Sequence, residues 1–362
     1  MGRSSTMSNY MITLTPVDKF FFGGDMTFQV GDDKIFNEQF KSYIIQSFLF
    51  PQQTSLLGMM RFLILRNAGE DVFKNNQIVD KVKAKRLIGA QSFSVNENHV
   101  ENNFGTIKSM SHVRIRRVGD GSCVDLEFKP LFRLNLDLST AGTGAHNCID
   151  VCLPDISKDE YDAKKGLESS LTDGNNEYSL DKVFKEDRRI GISRCIKTGK
   201  TGDDALFKQI SYRFADDARY CFVFDAEIDD SIPLNQYNGQ MVSIGGDNSQ
   251  FVIGISKENP DVQKETMNNA ICLMSPTYLT REEAKTVAFA ITKLMPFRFL
   301  KSKMDEVNSY HILSRNLKRS EKFELYAPGS VFYFKNGDDK RNFAALIESK
   351  KEFRQIGYNE YK

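Results

Sequence analysis

The sequence predicts an α+β protein of two halves, each an antiparallel sheet that carries a helix or two on one face. Three observations lead there. Short runs with period-two alternation of apolar residues recur along the whole chain, few stretches show a helical period, and glycine, proline and asparagine clusters separate the runs. With 362 residues the chain has enough length for two domain-sized cores.

The opening MITLTPVDKFFFGGDMTF starts as a strand with Ile12 and Leu14 on one side and turns at Gly23, Gly24 and Asp25. A helix follows in PQQTSLLGMMRFLILRNAG. Thr54 is its expected N-cap, Leu56, Met59, Met60 and Leu63 form the buried stripe, and Gly69 suits the exit. Arg61 and Arg66 fall near the edges of that stripe. From 85 to 138, RLIGAQSFSV, MSHVRIRRV, CVDLEF and PLFRLNLDL read as strands. Strand side chains alternate, so His112, Arg114 and Arg116 share one face and Val113 and Ile115 the other. Residues 139–187, rich in Gly, Asp, Ser, Asn and Lys, read as a long surface insertion. It ends a first domain, 8–187, and a second, 188–362, opens on a basic hairpin at 188–207.

In the second half ISYRF, RYCFVFDAEI, QMVSIGG, FVIGISK and ICLMSPTYL read as strands. REEAKTVAFAITKL is expected to be a helix capped by Thr280, with Val287, Ala290, Ile291 and Leu294 as its stripe. KFELYAPGSVFYF reads as a strand pair broken at Pro328 and Gly329, and FAALIESKKEF as a last helix. Helices on one face leave the opposite face of each sheet free to bind.

Composition narrows the function. Hydrophobic residues make up 40% and charged residues 27%, the balance of a globular chain. The net charge of +1 excludes coating of nucleic acid by bulk attraction, so any RNA contact must be local. No apolar run approaches the roughly 18 residues of a membrane span, and MGRSSTMSNY lacks the apolar stretch of a secretory signal; a cytoplasmic protein with no membrane partner is expected. Six cysteines are too sparse for a disulfide scaffold. His146, Cys148 and Cys152, with Cys123 upstream, have a spacing that zinc would accept, but CIDVCL reads equally as a buried strand, and no metal or cofactor is assigned.

The stretch RRIGISRCIKTGKTGDDALF carries the densest candidate chemistry. Its GKT, Gly199 to Thr201, is not a P-loop: Arg194 stands where the first glycine belongs, and a strand rather than a helix follows. The alternative is a hairpin with Ile190 and Ile192 anchored inside and Arg188, Arg189, Arg194, Lys197 and Lys200 outward, a spacing suited to a polyphosphate backbone. A solvated surface hairpin fits the same spacing. Of four histidines none sits in a motif with a nucleophile, which leaves His112 beside Arg114 and Arg116 as the candidate for RNA cleavage; a histidine on a binding face is the commoner case. Lys81, Lys83, Lys85 and Arg86, and Arg315, Lys318, Arg319 and Lys322, fit solubilising surfaces. Phe20, Phe21, Phe22 and Tyr333 are candidates to stack on bases, though most of 28 phenylalanines must be core.

Taken in order, the motifs resemble the Cmr subunit-three family, RAMP-superfamily proteins of type III-B CRISPR effector complexes. The resemblance rests on LTPVDKFFFGGDMTF, on FPQQTSLLGMMRFLIL with its Ser-x2-Gly-x2-Arg spacing, and on RIGISRCIKTGKTGDDALF, VSIGGDNSQFVIGI, MSPTYL, APGSVFYF and IGYNEY, which together run nearly the full length. Gly23 stands where the family usually has an arginine, which puts a contact from that turn in doubt.

The resemblance implies two ferredoxin-like (RRM-like) domains in a subunit that is not itself the nuclease. Such a subunit holds the 5′ repeat-derived tag of the crRNA, caps the backbone filament, meets target RNA only indirectly, and docks on the large polymerase-like subunit and the first backbone subunit. On this view Arg188 to Thr201 is a guide-RNA grip: Arg188, Arg189, Arg194, Lys197 and Lys200 place phosphates, and Thr198 and Thr201 donate hydrogen bonds. Gly329 and Ser330 offer close backbone approach, Arg61 is a further contact, and His112, Arg114 and Arg116 complete the candidate RNA-binding set. The competing expectations are an endoribonuclease of the same superfamily that processes precursor guide RNA through His112, and an adaptor with protein contacts only.

Overall fold

The computed structural model describes residues 6–24, 26–33, 38–119, 122–131, 169–194, 201–216, 219–245, 247–257, 270–301 and 318–362. In chain order its elements begin with β1 (Met7–Pro16), β2 (Met26–Asp33), β3 (Glu38–Gln46), α1 (Gln53–Arg66), β4 (Phe73–Lys74), β5 (Gln77–Ile78) and α2 (Lys81–Ile88). Next come β6 (Ile107–Met110), β7 (Arg114–Val118), β8 (Cys123–Phe128), β9 (Ser170–Thr172), β10 (Glu177–Ser179), α3 (Leu180–Val183), β11 (Phe184–Arg194), β12 (Thr201–Phe214) and β13 (Arg219–Asp229). The chain continues with β14 (Met241–Ile244), β15 (Ser249–Lys257), β16 (Ala270–Cys272), α4 (Arg281–Ala284), β17 (Phe289–Ile291), β18 (Leu294–Phe297) and β19 (Leu300–Lys301). It closes with β20 (Lys318–Arg319), β21 (Phe323–Tyr326), β22 (Val331–Tyr333), α5 (Gly337–Ser349) and α6 (Lys351–Arg354).

These strands form mostly antiparallel sheets with few helices, a mixed α/β architecture. The largest sheet runs β10-β9-β8-β7-β13-β1-β15-β14, with β6 also on β13. Here β1 lies between β13 and β15, so strands from distant parts of the chain share one sheet. Alternation builds its core face: Tyr10, Ile12 and Leu14 of β1, Phe222 and Phe224 of β13 and Phe251 and Ile253 of β15 are buried on one side. Against that face pack Leu56, Met60 and Leu63 of α1, within one continuous apolar cluster. Each such side chain contributes about 1.5–3 kcal/mol by leaving water. A smaller sheet, β16-β22-β17, buries Ile271 and Phe332 against Phe343 and Ile347 of α5. Asn336 caps α5 by accepting a hydrogen bond from Asp339 N at 2.9 Å.

The third sheet, β11-β12-β3-β2, builds the basic hairpin. β11 and β12 pair antiparallel from Phe184↔Phe214 outward, and β12 runs parallel to β3. No helix among the described residues is long and apolar enough to cross a membrane.

Several local expectations are corrected. The N-cap of α1 is Gln52, which makes no side-chain cap bond, and Thr54 lies inside the first turn. In RLIGAQSFSV, Arg86 to Ile88 end α2, and the following segment is largely irregular, pinned by buried Phe93. Thr280 does cap α4 in a full capping box with Glu283, yet the helix lasts one turn. Beyond it Phe289–Ile291 and Leu294–Phe297 are strands, because β-branched Thr286, Val287, Ile291 and Thr292 favour extended backbone and β22 and β21 offer ladder partners. β21 and β22 flank Pro328 and Gly329 as expected but pair with other strands rather than with each other. The described end of the 139–187 insertion, from 169 onward, is structured: β9 and β10 extend the large sheet beside β8.

Candidate nucleic-acid interface

The hairpin explains its own chemistry through strand parity. Opposed pairs Phe184↔Phe214, Glu186↔Tyr212, Arg188↔Ile210 and Ile190↔Lys208 share one face. That face begins in the core, where Phe184, Phe214, Tyr212 and Ile210 are buried, and then runs past it. Ile190 is 73% exposed, which corrects the expectation that it is anchored inside. Its parity is that of the core row, but the hairpin has outrun the body that would cover it. The neighbouring Arg188 and Arg189 are both exposed, on opposite faces of the strand.

Each of these arginines faces a carboxylate two residues earlier. Arg188 Nη2 lies 2.6 Å from Glu186 Oε2, and Arg189 Nε lies 3.7 Å from Asp187 Oδ1. Lys19 Nζ also reaches Asp187 at 2.7 Å. Exposed pairs of this kind are worth about 0–1 kcal/mol, so a phosphate can exchange for the carboxylate at little cost. Arg194 and Thr201 face each other across a register shift in the backbone ladder, and Thr201 opens a strand, so no helix follows GKT. Lys197, Thr198 and Lys200 lie outside the described residues, as do His146, Cys148 and Cys152.

The sheet-face group is placed differently. Ile115 is fully buried on the core face of β7, and Arg114 and Arg116 project from the other, as alternation requires. Both are locked by carboxylates on neighbouring strands. Arg114 donates to Asp125 at 3.2 Å and to Asp225 at 2.9 Å, and Arg116 donates to Asp125 through two nitrogens, at 2.5 and 3.1 Å. His112, just before β7, is half-buried beside them. Desolvation first and the positive Arg114 second push its pKa down to about 3, so the imidazole is neutral at physiological pH.

Arg61 lies on the solvent side of α1. Its Nη2 donates to Gly89 O at 3.3 Å, its Nε is enclosed without an acceptor, and burial lowers its pKa to about 10. Gly329 has φ +84°, and an added Cβ would meet Lys129 O at 2.9 Å. Its N–H donates to Leu273 O at 2.8 Å, while fully buried Ser330 donates its N–H to Ala327 O and accepts from Lys293 N at its hydroxyl. The turn is thus knit into the body.

Phe20, Phe21, Phe22 and Tyr333 are buried, which removes them as base-stacking platforms. Phe20 and Phe22 stack at 4.9 Å inside the aromatic core. Lys83 pairs with Asp71 at 2.7 Å, in keeping with a solubilising surface, and Lys318, Arg319 and Lys322 are exposed. Cys123 is exposed, and the described residues contain no cluster of three or more metal-ligating side chains. Sequence reasoning missed Asp125 and Asp225 as holders of the arginines, and Lys19 and Lys208 as neighbours of the hairpin. Asp225 and Lys19 reach their partners from 111 and 168 residues away and so leave no local signal, whereas Asp125 and Lys208 lie on the neighbouring strands β8 and β12.

Among curated proteins none matches the chain at a significant level. Among solved structures, a chain of the Type III-B Cmr-beta bound to cognate target RNA superposes with a TM-score of 0.52 at 16% identity, covering 98% of this chain and 96% of that one. That likeness establishes a shared fold. A second, of the Type III-B Cmr-beta bound to cognate target RNA and AMPPnP, gives 0.48 at 15% identity, with 98% and 95% covered. The family model for the CRISPR-associated protein Cas_Cmr3 matches residues 12–361. A match over nearly the whole chain leaves one assignment: the protein belongs to the Cas_Cmr3 family.

Proposed function

We propose that this protein is a non-catalytic RNA-binding subunit of a type III-B CRISPR effector complex, acting in the cytoplasm in antiviral defence. It holds the 5′ repeat-derived tag of the crRNA, caps the backbone filament and docks on the large polymerase-like subunit and the first backbone subunit, with target RNA contacted only indirectly. The observation that carries this reading is the projecting β11–β12 hairpin, with Arg188 and Arg189 exposed at its base, in a Cas_Cmr3-family chain.

Arg194, Lys197, Thr198, Lys200 and Thr201 complete the grip in this proposal. Arg61 is a second contact. Gly329 and Ser330 shape the surface from beneath, and His112, Arg114 and Arg116 form a preorganised polar sheet face. Two ferredoxin-like units, 8–187 and 188–362, belong to the same reading. A His112 whose pKa is pushed down to about 3 supports the non-catalytic role, since near pH 7 it is not the imidazolium a general acid needs and is too weakly basic to serve well as a general base.

Replacing Arg188, Arg189, Lys197 and Lys200 together by Ala is expected to reduce crRNA retention in the assembled complex at least about tenfold. Retention equal to wild type would remove the hairpin from the site. Ultraviolet cross-linking of the same complex should yield adducts between this subunit and the crRNA tag, which an adaptor with protein contacts only would lack.

A further inference from the structure

The ribbon that β18 forms with β21, and β19 with β20, gathers cations that the rest of the fold does not balance. Its inner face is set by the pairs Phe297↔Phe323 and Met295↔Leu325, and Phe297, Phe299 and Leu325 are buried in the main apolar cluster. Alternation then sends Leu294, Arg298 and Leu300 outward, and all three are exposed. Phe297 faces Phe323 but Leu300 faces Arg319, so three residues, 320–322, stand against two, 298 and 299. Such a β-bulge changes which side chains reach solvent. Ser320 is buried with its N–H on Phe299 O at 2.8 Å, and Phe323 packs inward, so Glu321 and Lys322 both emerge between them.

The charges on this surface do not cancel. Glu321 turns to Lys301 at 3.1 Å, and Glu324 to Arg281 at 3.3 Å. That leaves Arg298, Arg319 and Lys322, together with Lys293 and Lys318, without a carboxylate among the described residues. Lys318 is directly across the ladder from Lys301, a like-charge pairing that weakens a ribbon. Several exposed cations elsewhere do meet carboxylates, as Lys83 does at Asp71, Lys108 at Glu101 and Arg188 at Glu186. A surface that only keeps a protein soluble mixes both signs. Here one sign prevails in a chain whose net charge is +1, so the excess is local and faces outward.

The side chains between the cations decide which anion fits. Single-stranded RNA is held by cations together with aromatic faces on which bases stack. The rings of this ribbon point inward, where Phe299 stacks on Phe323 at 5.8 Å. The outer face carries Leu294 and Leu300 instead, 49% and 50% exposed, with Leu300 directly across from Arg319. An apolar side chain among guanidinium and ammonium groups suits a protein partner: burying the leucine supplies affinity, and the charges steer and orient the approach. Resting on the reading of this chain as a subunit of a larger complex, we infer that the outer face of the ribbon is a protein-docking surface. It binds a carboxylate-rich surface of a neighbouring subunit, Arg298, Arg319 and Lys322 pairing with Asp or Glu side chains around an apolar spot that receives Leu300.

The test uses the full-length chain and the complex reconstituted from the other type III-B subunits. Arg298→Gln, Arg319→Gln and Lys322→Gln together should weaken incorporation by about tenfold or more, and Leu300→Ser, which alters no charge, by about threefold or more. Added salt should narrow the gap between wild type and the triple variant and leave that of Leu300→Ser in place. Both should bind labelled crRNA within about threefold of wild type, since the hairpin is untouched. In the wild-type complex, which needs no variant to fold, carbodiimide coupling should join Lys318 or Lys322 to an Asp or Glu of another subunit. Normal incorporation of both variants, or the absence of those cross-links, overturns the docking surface and leaves the RNA-binding reading in place. A loss of crRNA affinity of about tenfold with incorporation intact would make the ribbon an RNA contact and overturn it as well. Should the wild-type chain not associate with the other subunits at all, the reading of it as their partner falls, and the docking surface with it.

Discussion

His112 shows how a single residue's surroundings decide its chemistry. Half-buried next to Arg114 and Asp125, its pKa falls from 6.5 to about 3, with desolvation the larger cause. The folded protein keeps this imidazole neutral while the unfolded chain protonates it below pH 6.5. Stability is therefore complete above pH 6.5 and declines as pH drops toward 3, by about 1.4 kcal/mol per unit. At pH 5 that is a loss of up to about 2 kcal/mol from this residue. His112→Gln keeps a polar side chain without a titrating ring, so its urea midpoint should fall less between pH 7 and pH 5 than that of wild type. Equal falls in both proteins would place the proton uptake elsewhere. The sequence shows this histidine beside two arginines and suggests chemistry. The desolvation that neutralises it comes from packing, which no spacing reveals.

At the scale of elements, legibility followed the range of the interaction. The strand β12 after GKT, the alternation of Ile115 against Arg114 and Arg116, and the buried stripe of α1 rest on local periodicity and stand as read. The helix expected over 281–294 failed for the opposite reason: a strong local start, the Thr280–Glu283 box, met ladder partners on β21 and β22 that local pattern does not encode. Ile190 is the subtler case. Period two assigns it to the core row, and it is on that row, but periodicity cannot tell where the core ends. A consequence follows for the edge strand β11. Ile190→Thr removes a side chain that nothing covers, keeps a β-branched residue in a strand, and should change unfolding free energy by no more than about 0.5 kcal/mol. A loss beyond about 1.5 kcal/mol, measured by urea denaturation, would mean that Ile190 is packed after all. The candidate site was legible in its cations but not in all of their restraint, because Asp125 and Asp225 hold Arg114 and Arg116 through pairings that only the folded strands create, whereas Glu186 and Asp187 stand two residues before the arginines they meet.

For the whole molecule the decisive quantity is the near-neutral charge. With 49 basic and 48 acidic residues, long-range attraction for RNA is weak, and whatever binding occurs must come from a few phosphates held at close range. Salt dependence measures that number directly. Each phosphate neutralised on a single strand contributes about −0.7 to the slope of log affinity against log salt. A protein that coats RNA by net charge would show a steep slope spread over many residues, so removing a few would change it little. Here the slope should be shallow in the wild type and concentrated in the hairpin. Replacing Arg188, Arg189, Lys197 and Lys200 by Ala should flatten it by up to about 3, whereas replacing Lys81, Lys83, Lys85 and Arg86 should leave it within about 0.5 of wild type. The control set carries the same charge and differs only in position, with Lys83 already turned toward Asp71. Equal flattening by the two sets would show that bulk charge, and not placement on the hairpin, draws the RNA, and the local-grip reading would fail at its physical root.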